Sequence, residues 1–528
     1  MIVASIYSIE DQFQISTPFF YRDYVRTLVL AVASHIQRYY IFVTPGVNHD
    51  ELFPELPRNV RIVDMDKMFV CVSRQRIDIW HDFGYGNHRA LDQLKNLTGG
   101  KFRSTIDFRM ERFLHYADSG RPDWGSFDGI VYPTEHARKL HVEMLQLPST
   151  GVQSTVIPPN MDFKFLNPLL KEDSRRLLGL PQDEKIILCV SDFSPRHGTD
   201  LLPILRAFEL DVSKRSNVRL VISGRDALDN IARLQNGPDQ KIDSSRITLL
   251  GNPDRLSLAM LFAAADIYLH LPDSPFKDSP WLLLYAMGHK LAIIAAKWPS
   301  AEALLDAETS GVLVPFYSHQ GISSYVKEIL GKESYELGAL ISSQTTGFDV
   351  ETLAARMERI INEPVYQKNL GACAFERGML KNQSDDAGCG YVAFWEGLKR
   401  KPESDGAPHG SRNFQVFKTE CRYLDAAPEF NEAAVLEITE AGRAALGGLK
   451  LRFYEETAQV IFPAVVMGIL KQVKRPTKIR EVLESGSQAQ SGTSRDVLRA
   501  GIMYHLLFAI KRGLIRWKLP GESNEPIY

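Results

Sequence analysis

The side chains best suited to hold an anion follow two short apolar runs in the second third of the chain. Arg196 and His197 stand before Gly198 in SDFSPRHGTD, which comes after the run KIILCV. Arg225 follows Gly224 at the end of VRLVISGRD. Cations at these places could neutralise the charge that develops on a leaving diphosphate, and no metal ion would be needed. Two alternatives stay open: the arginines are solvated surface charges, and His197 caps a helix.

The stretch DSPWLLLYAMG combines a polar turn with an apolar helix. We predict that Ser279 and Pro280 open this helix, because proline loses no hydrogen bond at the first helical position. The unpaired backbone N–H groups of such a helix start favour an anion. Asp278 adds a carboxylate that could accept hydrogen bonds from ligand hydroxyl groups. Tyr285 is a neutral phenol at pH 7 with one weak acceptor, and packing in a helix core is its alternative.

Alternating strand and helix patterns position these groups. In the first third, IVASIYSI, YYIFVTP, VRIVDM, IDIWHDFG and FDGIVYPT are predicted strands, and FYRDYVRTLVLAVASHI has the spacing of an amphipathic helix. The alternation is clearer from KIILCV to GVLVPF. It predicts an α/β architecture, with doubly wound parallel sheets covered by helices and ligands beyond the carboxyl ends of the strands.

The chain divides into segments of different composition. We expect an N-terminal domain at 1–153, a proline-rich linker at 154–170, a second domain at 171–398, a charged linker at 399–413 and a C-terminal domain at 414–528. In the C-terminal domain, helix, basic turn, helix and terminal strand resemble a winged helix. We interpret its basic run KQVKRPTKIR as a solvated turn, since a nearly neutral protein does not favour a nucleic-acid partner.

Composition limits the class of protein. A chain of 528 residues exceeds what one hydrophobic core supports. A net charge of −2 attracts neither nucleic acid nor an anionic membrane. The five cysteines have no metal-ligand spacing and fit a reducing compartment. With no apolar run long enough to span a membrane, we expect a cytoplasmic protein and leave peripheral membrane contact open. P-loop, zinc and nucleophile-elbow motifs are missing from the sequence, and we expect neither a metal ion nor another cofactor.

The order of segments resembles the GT-B glycosyltransferases, specifically the family-4-like group of retaining enzymes known as glycosyl transferases group 1. The segments that carry the resemblance are STVIPPNMDFKFL, VSDFSPRHGTDLL, LVISGRD, LLGNP, LFAAADIYLHLPDS, KDSPWLLLYAMG and GVLVPF. The resemblance implies two Rossmann-like domains, an N-terminal one for the acceptor and a second one for a nucleotide-diphosphate sugar. The implied donor-binding residues are Arg196, His197, Gly198, Gly224, Arg225, Gly251, Ser279, Pro280, Trp281 and Tyr285. Asp278, His81 and Asp107 are the implied catalytic candidates.

Three residues depart from the family pattern. Asp192 stands where the basic loop usually has arginine, His197 replaces its lysine, and Tyr285 replaces the second acid of the E-x7-E motif. In the first domain, His81 and Asp107 are the remaining polar candidates, and a capping role without chemistry is equally open for His81. One alternative function is therefore a catalytically impaired GT-B protein that binds a glycan, a nucleotide sugar or a partner enzyme. A further alternative makes the C-terminal domain a protein adaptor or a DNA-binding head.

Overall fold

The computed structural model describes most of the chain. The described residues are 1–7, 18–45, 53, 56–84, 88–109, 126–145, 152–159, 161, 163, 169–194, 199–210, 217–226, 229–236, 245–273, 280–317, 347–381, 384–398, 432–447, 463–486 and 495–518. The chain divides into two compact units, and both are discontinuous in sequence. Unit 1 combines Met1–Leu166 with Ser279–Tyr285 and Glu376–Phe414. Unit 2 combines Asn167–Asp278, Ala286–Phe375 and Gln415–Tyr528.

The described strands form three sheets. The first is parallel, in the order β3-β2-β1-β4-β5-β6-β7, the second is parallel, in the order β10-β9-β8-β11-β12-β13, and the third is antiparallel, in the order β15-β14-β16. The strands are β1 Ile2–Tyr7, β2 Arg38–Val43, β3 Val60–Asp64, β4 Ile79–Asp82, β5 Arg103–Asp107, β6 Gly129–Tyr132, β7 Gln153–Val156, β8 Lys185–Val190, β9 Val218–Gly224, β10 Ile247–Gly251, β11 Ile267–His270, β12 Ala292–Ala296, β13 Val312–Val314, β14 Val435–Ile438, β15 Thr477–Lys478 and β16 Ile515–Lys518.

Helices connect and cover these strands. They are α1 Pro18–Ala33, α2 Met68–Arg74, α3 His88–Thr98, α4 Glu135–Leu145, α5 Lys171–Leu177, α6 Leu202–Leu210, α7 Asn230–Asn236, α8 Arg255–Ala264, α9 Pro280–Gly288, α10 Pro299–Leu304, α11 Val350–Asn362, α12 Pro364–Lys381, α13 Ser384–Gly397, α14 Glu440–Leu446, α15 Pro463–Gln472, α16 Ile479–Gly486 and α17 Arg495–Lys511. The two parallel sheets with their helices confirm the predicted α/β fold class.

The first sheet extends slightly further along the chain than the predicted domain boundary at residue 153. Its last strand, β7, pairs in parallel with β6 over Gln153–Val156. Helix α13, which the sequence predicted as part of the second domain, packs against α1 inside unit 1. Gly388 permits this packing, because a Cβ atom there would lie 2.4 Å from the carbonyl oxygen of Ala31. The Arg103 guanidinium also donates a hydrogen bond of 2.7 Å to the carbonyl of Leu398, directly after α13.

The second sheet provides the core of unit 2. Strands β8, β9, β11 and β12 are almost entirely buried, as apolar strands of a parallel sheet covered on both faces must be. The strand order changes direction between β8 and β11. Such a reversal is a topological switch point, where the loops after the two strands diverge and leave a crevice.

The C-terminal segment of unit 2 is a small module with its own core. Its elements follow one another as β14, α14, α15, β15, α16, α17 and β16. Every residue of α17 from Met503 to Lys511 is buried, which requires neighbours on all sides of the helix. The module also contacts the rest of unit 2: the rings of Tyr317 and Trp517 meet edge to face at 4.6 Å. The detailed likeness to a winged helix stays a prediction.

Among the described residues, no helix combines the length and the apolar character that crossing a membrane requires.

Candidate functional site

The carboxyl edge of the second sheet is the candidate site, because the switch point between β8 and β11 lies there. Strand β8 pairs with β9 on one side and with β11 on the other. The segments that follow these three strands contain most of the residues predicted to bind a donor. The structure describes these segments in part.

Gly224 allows the backbones after β8 and β9 to touch. A Cβ atom on Gly224 would lie 1.9 Å from the carbonyl oxygen of Ser191, closer than any real contact. The hydrogen-bond ladder continues beyond the strands, since the Phe193 amide donates to the carbonyl of Arg225 at 2.8 Å. Glycine is thus required at position 224 for close backbone packing, whatever ligand binds nearby.

Arg225 is paired with Asp192. Its Nη2 atom lies 3.4 Å from Oδ2 of Asp192, and its backbone N–H donates to Oδ1 of the same carboxylate at 3.3 Å. Asp192 is buried, whereas the Arg225 side chain is 22% exposed. Asp192, which stands where the resembled family usually has arginine, therefore partly neutralises Arg225. Arg225 is a described cation of the predicted donor site.

A buried ion-pair network lies across the switch point. The Asp200 amide donates to Oδ2 of Asp273 at 2.8 Å, which joins the segment after β8 to the segment after β11. Lys511, the last residue of α17, places Nζ 3.0 Å from Oδ2 of Asp273 and 3.9 Å from Oδ2 of Asp200. The Nη2 atom of Arg512 lies 3.0 Å from Oδ2 of Asp200. Sequence analysis missed all four residues, and the only usable signal was the position of Asp273 in the LPDS motif.

Helix α9 begins at Pro280, as the sequence predicted. Trp281 and Tyr285 are both buried. The Trp281 ring lies 4.5 Å from the ring of Tyr24, and both residues belong to unit 1. Burial of Tyr285 agrees with packing in a helix core, and its role in donor binding stays a prediction.

Of the remaining predicted donor residues, one is described and five lie outside the described residues. Gly251 ends β10 and is exposed, and a Cβ there would lie 3.0 Å from the side chain of Ile231. Five predicted residues lie outside the described residues: Arg196, His197, Gly198, Asp278 and Ser279. Their roles stay predictions.

His81 and Asp107, predicted separately, lie together in unit 1. His81 is the second-last residue of β4 and Asp107 the last residue of the neighbouring strand β5, and Nε2 of His81 lies 3.3 Å from Oδ2 of Asp107. Nδ1 of His81 lies 3.0 Å from the hydroxyl of Thr105. Both predicted residues are buried, with His81 fully inaccessible to solvent. Their assignment as catalytic candidates for an acceptor stays a prediction.

Two tyrosines complete this polar cluster. The hydroxyl of Tyr24 in α1 donates to Oδ2 of Asp107 at 2.5 Å, and the hydroxyl of Tyr391 in α13 donates to Oδ1 at 2.8 Å. Burial, reinforced by the Asp107 carboxylate, raises the pKa of both phenols well above the usual value. The tyrosines therefore stay protonated and act as donors. Sequence analysis did not find them, because Tyr391 lies 284 residues from Asp107.

The described residues contain no group of three or more His, Cys, Asp or Glu side chains arranged to hold a metal ion.

A family model matches the part of the chain that contains the candidate site. Residues 171–344 match the family Glycosyl transferases group 1. This range starts at α5 and includes the strands of the second sheet and the switch point. The comparison thus confirms the predicted resemblance in the part of the chain where the motifs are concentrated.

A curated relative is the D-inositol 3-phosphate glycosyltransferase of Mycolicibacterium smegmatis, which is 25% identical over 216 residues. This match covers 39% of the chain and 48% of the relative. The chain therefore spans about half the length of that relative. It spans 23% of the relative from Mycobacterium bovis, which it matches over 118 residues.

Solved structures show the fold. Sucrose-phosphate synthase from Thermosynechococcus elongatus is similar with a TM-score of 0.51 and 16% identity, over 75% of this chain and 98% of the synthase. Anabaena HepE, in complex with UDP and glucose, is similar with a TM-score of 0.52 and 12% identity, over 75% of this chain and all of HepE. These likenesses confirm the predicted pair of parallel-sheet α/β domains.

Proposed function

We propose that the protein is a glycosyltransferase that moves a sugar from a nucleotide-diphosphate sugar to an acceptor with retention of configuration. The observation that carries this proposal is that the family match at 171–344 includes the switch point of the second sheet. In sequence, helix α9 begins at Pro280, directly after the predicted donor residues Asp278 and Ser279. A diphosphate is the ligand that a helix start and nearby basic residues hold well.

The proposed reaction needs no metal ion. The acceptor hydroxyl oxygen forms a bond to the anomeric carbon, the bond from that carbon to the diphosphate breaks, and the acceptor proton leaves with the diphosphate. Arg196, His197 and Arg225 would stabilise the charge of the departing nucleoside diphosphate. Asp278 would accept hydrogen bonds from the sugar.

Unit 1 would hold the acceptor, as the family resemblance implies. The acceptor is a hydroxyl group of a glycan, a protein or a lipid-linked molecule. His81 and Asp107 are buried. Their burial favours a structural role, in which they hold the carboxyl ends of β4 and β5 together, and argues against direct contact with an acceptor. The retaining chemistry does not need them, because in the resembled family the donor phosphate itself accepts the proton.

The ion pair between Asp192 and Arg225 favours a second candidate function. Arg225 is already engaged by a carboxylate, which weakens its attraction for a phosphate. A protein with weakened donor contacts would bind a nucleotide sugar or a glycan without turnover. The two candidates share the donor pocket and differ in the transfer step.

Binding of the donor is tested first, and turnover is tested second. Calorimetry against UDP, GDP, ADP and their glucose derivatives compares the wild type with Asp278→Ala and Arg196→Ala. A ligand at a hundred times its Kd stabilises the fold by about 2.7 kcal/mol, so thermal shift provides a second readout. Selective binding that both substitutions abolish supports the donor site, and equal binding by all three proteins contradicts it.

Turnover separates the two candidates. Release of nucleoside diphosphate in the presence of an acceptor panel, with the anomeric configuration of the product read by NMR, supports the transferase. Binding without release by any acceptor favours the second candidate. Glu184→Gln, far from the carboxyl edge at the start of β8, is the control and should behave as the wild type in both assays.

A further inference from the structure

Lys511 is a fully buried lysine between two carboxylates. Its Nζ atom lies 3.0 Å from Oδ2 of Asp273 and 3.9 Å from Oδ2 of Asp200, and neither lysine nor aspartates are exposed to solvent. A buried ammonium group without a counter-ion would be very costly. Arg512 adds a second cation against Asp200 at 3.0 Å. Among the described residues, two positive and two negative charges thus lie close together.

The position of Lys511 at the end of α17 is favourable in itself. The last turn of a helix carries partial negative charge, which attracts a cation. Gly513 ends the helix with a φ of 64°, and the amides of Gly513 and Leu514 donate to the carbonyls of Ile510 and Ala509. This is the geometry of a glycine-capped helix end, so the position of Lys511 at the end of α17 is well defined.

The two carboxylates come from the two segments that diverge at the switch point. Asp273 follows β11 and directly precedes residues 274–279, which include the predicted sugar-binding Asp278. Asp200 directly follows Thr199 and lies shortly after the predicted basic residues Arg196 and His197. Asp200 also accepts a hydrogen bond of 3.2 Å from the amide of Leu202, the first residue of α6. One ammonium group thus joins the neighbours of both predicted donor segments.

We propose that Lys511 is a positioning residue for the donor site, through which the C-terminal module holds together the segments after β8 and β11. This role rests on the proposed function, because it presupposes a donor site. Lys511, which would stabilise that site, lies outside the family match at 171–344. Lys511 is buried and acts through Asp200 and Asp273, without touching the donor. The module is then a structural part of the donor unit.

Contacts beside the network support this assignment. Arg516 Nη1 lies 3.6 Å from Oε2 of Glu351 in α11, and Trp517 packs on Tyr317. A Cβ atom on Gly513 would lie 3.0 Å from the side chain of Arg206 in α6. Because α17 is buried along its last half, it cannot serve as a DNA-reading helix in this arrangement. Its burial instead fits a fixed support.

The test compares Lys511→Met, Asp273→Asn and the double variant in the full chain. Methionine keeps much of the length of lysine and removes the charge, whereas the double variant removes one charge of each sign. We expect Lys511→Met to raise the Kd at least tenfold. The ligand in this measurement is the nucleoside diphosphate that the wild type binds. The double variant should recover most of the loss, because it leaves no unpaired buried carboxylate. Lys478→Met, at an exposed lysine of β15, is the control and should bind as the wild type.

Amide hydrogen exchange without nucleotide gives a second readout. The Asp200 amide, which donates to Asp273, should exchange faster in Lys511→Met than in the wild type, and the double variant should lie between them. If Lys511→Met does not fold, Lys511→Arg and the double variant provide the same comparison, with retained binding expected from the arginine.

Each failure has its own signature. A Kd unchanged in Lys511→Met, in a wild type that binds nucleotide, overturns the positioning role and leaves the proposed function intact. A wild type that binds no nucleotide overturns the proposed function. In that case, faster exchange of Asp200 in Lys511→Met still supports the joining of the two segments, and unchanged exchange overturns it.

Discussion

Asp192 and Arg225 form an ion pair across the ends of adjacent strands, with 3.4 Å between Oδ2 and Nη2. Asp192 follows β8 and Arg225 follows β9, so both stand at the edge where a donor is proposed to bind. In the resembled family an arginine usually takes the place of Asp192. If the resemblance holds at this position, the pair would lower the positive charge of the proposed site, because a carboxylate stands where the family usually has a cation and also engages Arg225.

Asp192→Asn should strengthen the binding of a nucleoside diphosphate. The amide keeps an acceptor for the Arg225 N–H and removes the competing charge, so Kd should fall by about threefold to tenfold, as expected for a partly exposed ion pair. Isothermal calorimetry at two salt concentrations measures the change, which should shrink at high salt.

The matched control for Asp192 is Glu184→Gln. Glu184 pairs with Arg219 at 2.7 Å, at the opposite, amino-terminal ends of the same two strands. This substitution removes the same charge and should leave Kd unchanged. Weaker binding in Asp192→Asn would mean that the carboxylate itself supports the ligand.

Gly224→Ala should destabilise unit 2. The added methyl group would lie 1.9 Å from the carbonyl oxygen of Ser191, and the backbone must move to relieve the overlap. We expect a loss of about 3 kcal/mol in the free energy of unfolding, at the upper end for overpacking. Chemical denaturation followed by circular dichroism gives the value.

Gly468→Ala is the control for that substitution. Gly468 lies inside α15, and among the described residues no atom outside its own stretch of helix lies within 4 Å of the Cβ position. Alanine there should raise the stability by about 0.5–1 kcal/mol, because glycine loses more backbone freedom on folding. Equal effects of the two alanines would refute the close approach at Gly224.

Tyr391→Phe should weaken the packing of α13 against the first sheet within unit 1. The substitution leaves Asp107 with one fewer donor in a buried site, which costs about 1–3 kcal/mol. Differential scanning calorimetry should show a lower Tm. Tyr366→Phe, which removes a hydrogen bond of 2.8 Å to the partly exposed Glu308, is the control and should cost less. A smaller effect at Tyr391 would mean that Asp107 finds another partner.

The buried histidine of α17 should make unit 2 sensitive to acid. Burial lowers the pKa of His505 from its usual value near 6.5 to about 4. Because the folded pKa is depressed, the unfolded chain binds the proton more tightly below pH 6.5. Stability is therefore full above pH 6.5 and falls as the pH drops towards 4, by up to about 3 kcal/mol.

The measurement for His505 is the difference in Tm between pH 7 and pH 5. The Tm of the wild type should fall more than the Tm of His505→Gln, since glutamine does not bind a proton in this pH range. His35→Gln, at an exposed histidine, should follow the wild type. Parallel pH curves for the wild type and His505→Gln would contradict the depressed pKa.

Local pattern was sufficient to predict much of the fold. The apolar run at β8 and the helix that starts at Pro280 both appear as expected, because each depends on residues close in sequence. The order of such segments was also enough to predict the resemblance to glycosyl transferases group 1, which the match at 171–344 confirms. The five predicted site residues outside the described residues remain predictions from that order.

Tertiary structure decided the partners of the charged and polar groups. Sequence analysis treated Asp192 as a departure from a motif and Arg225 as a candidate for donor binding, and only the pairing of β8 with β9 brings the two together. Lys511 and Asp273 are 238 residues apart, and Tyr391 and Asp107 are 284 apart. Helix and strand patterns contain information about neighbours a few residues away. Partners at such separations are set by strand order and by the path of the returning chain, which no local pattern encodes.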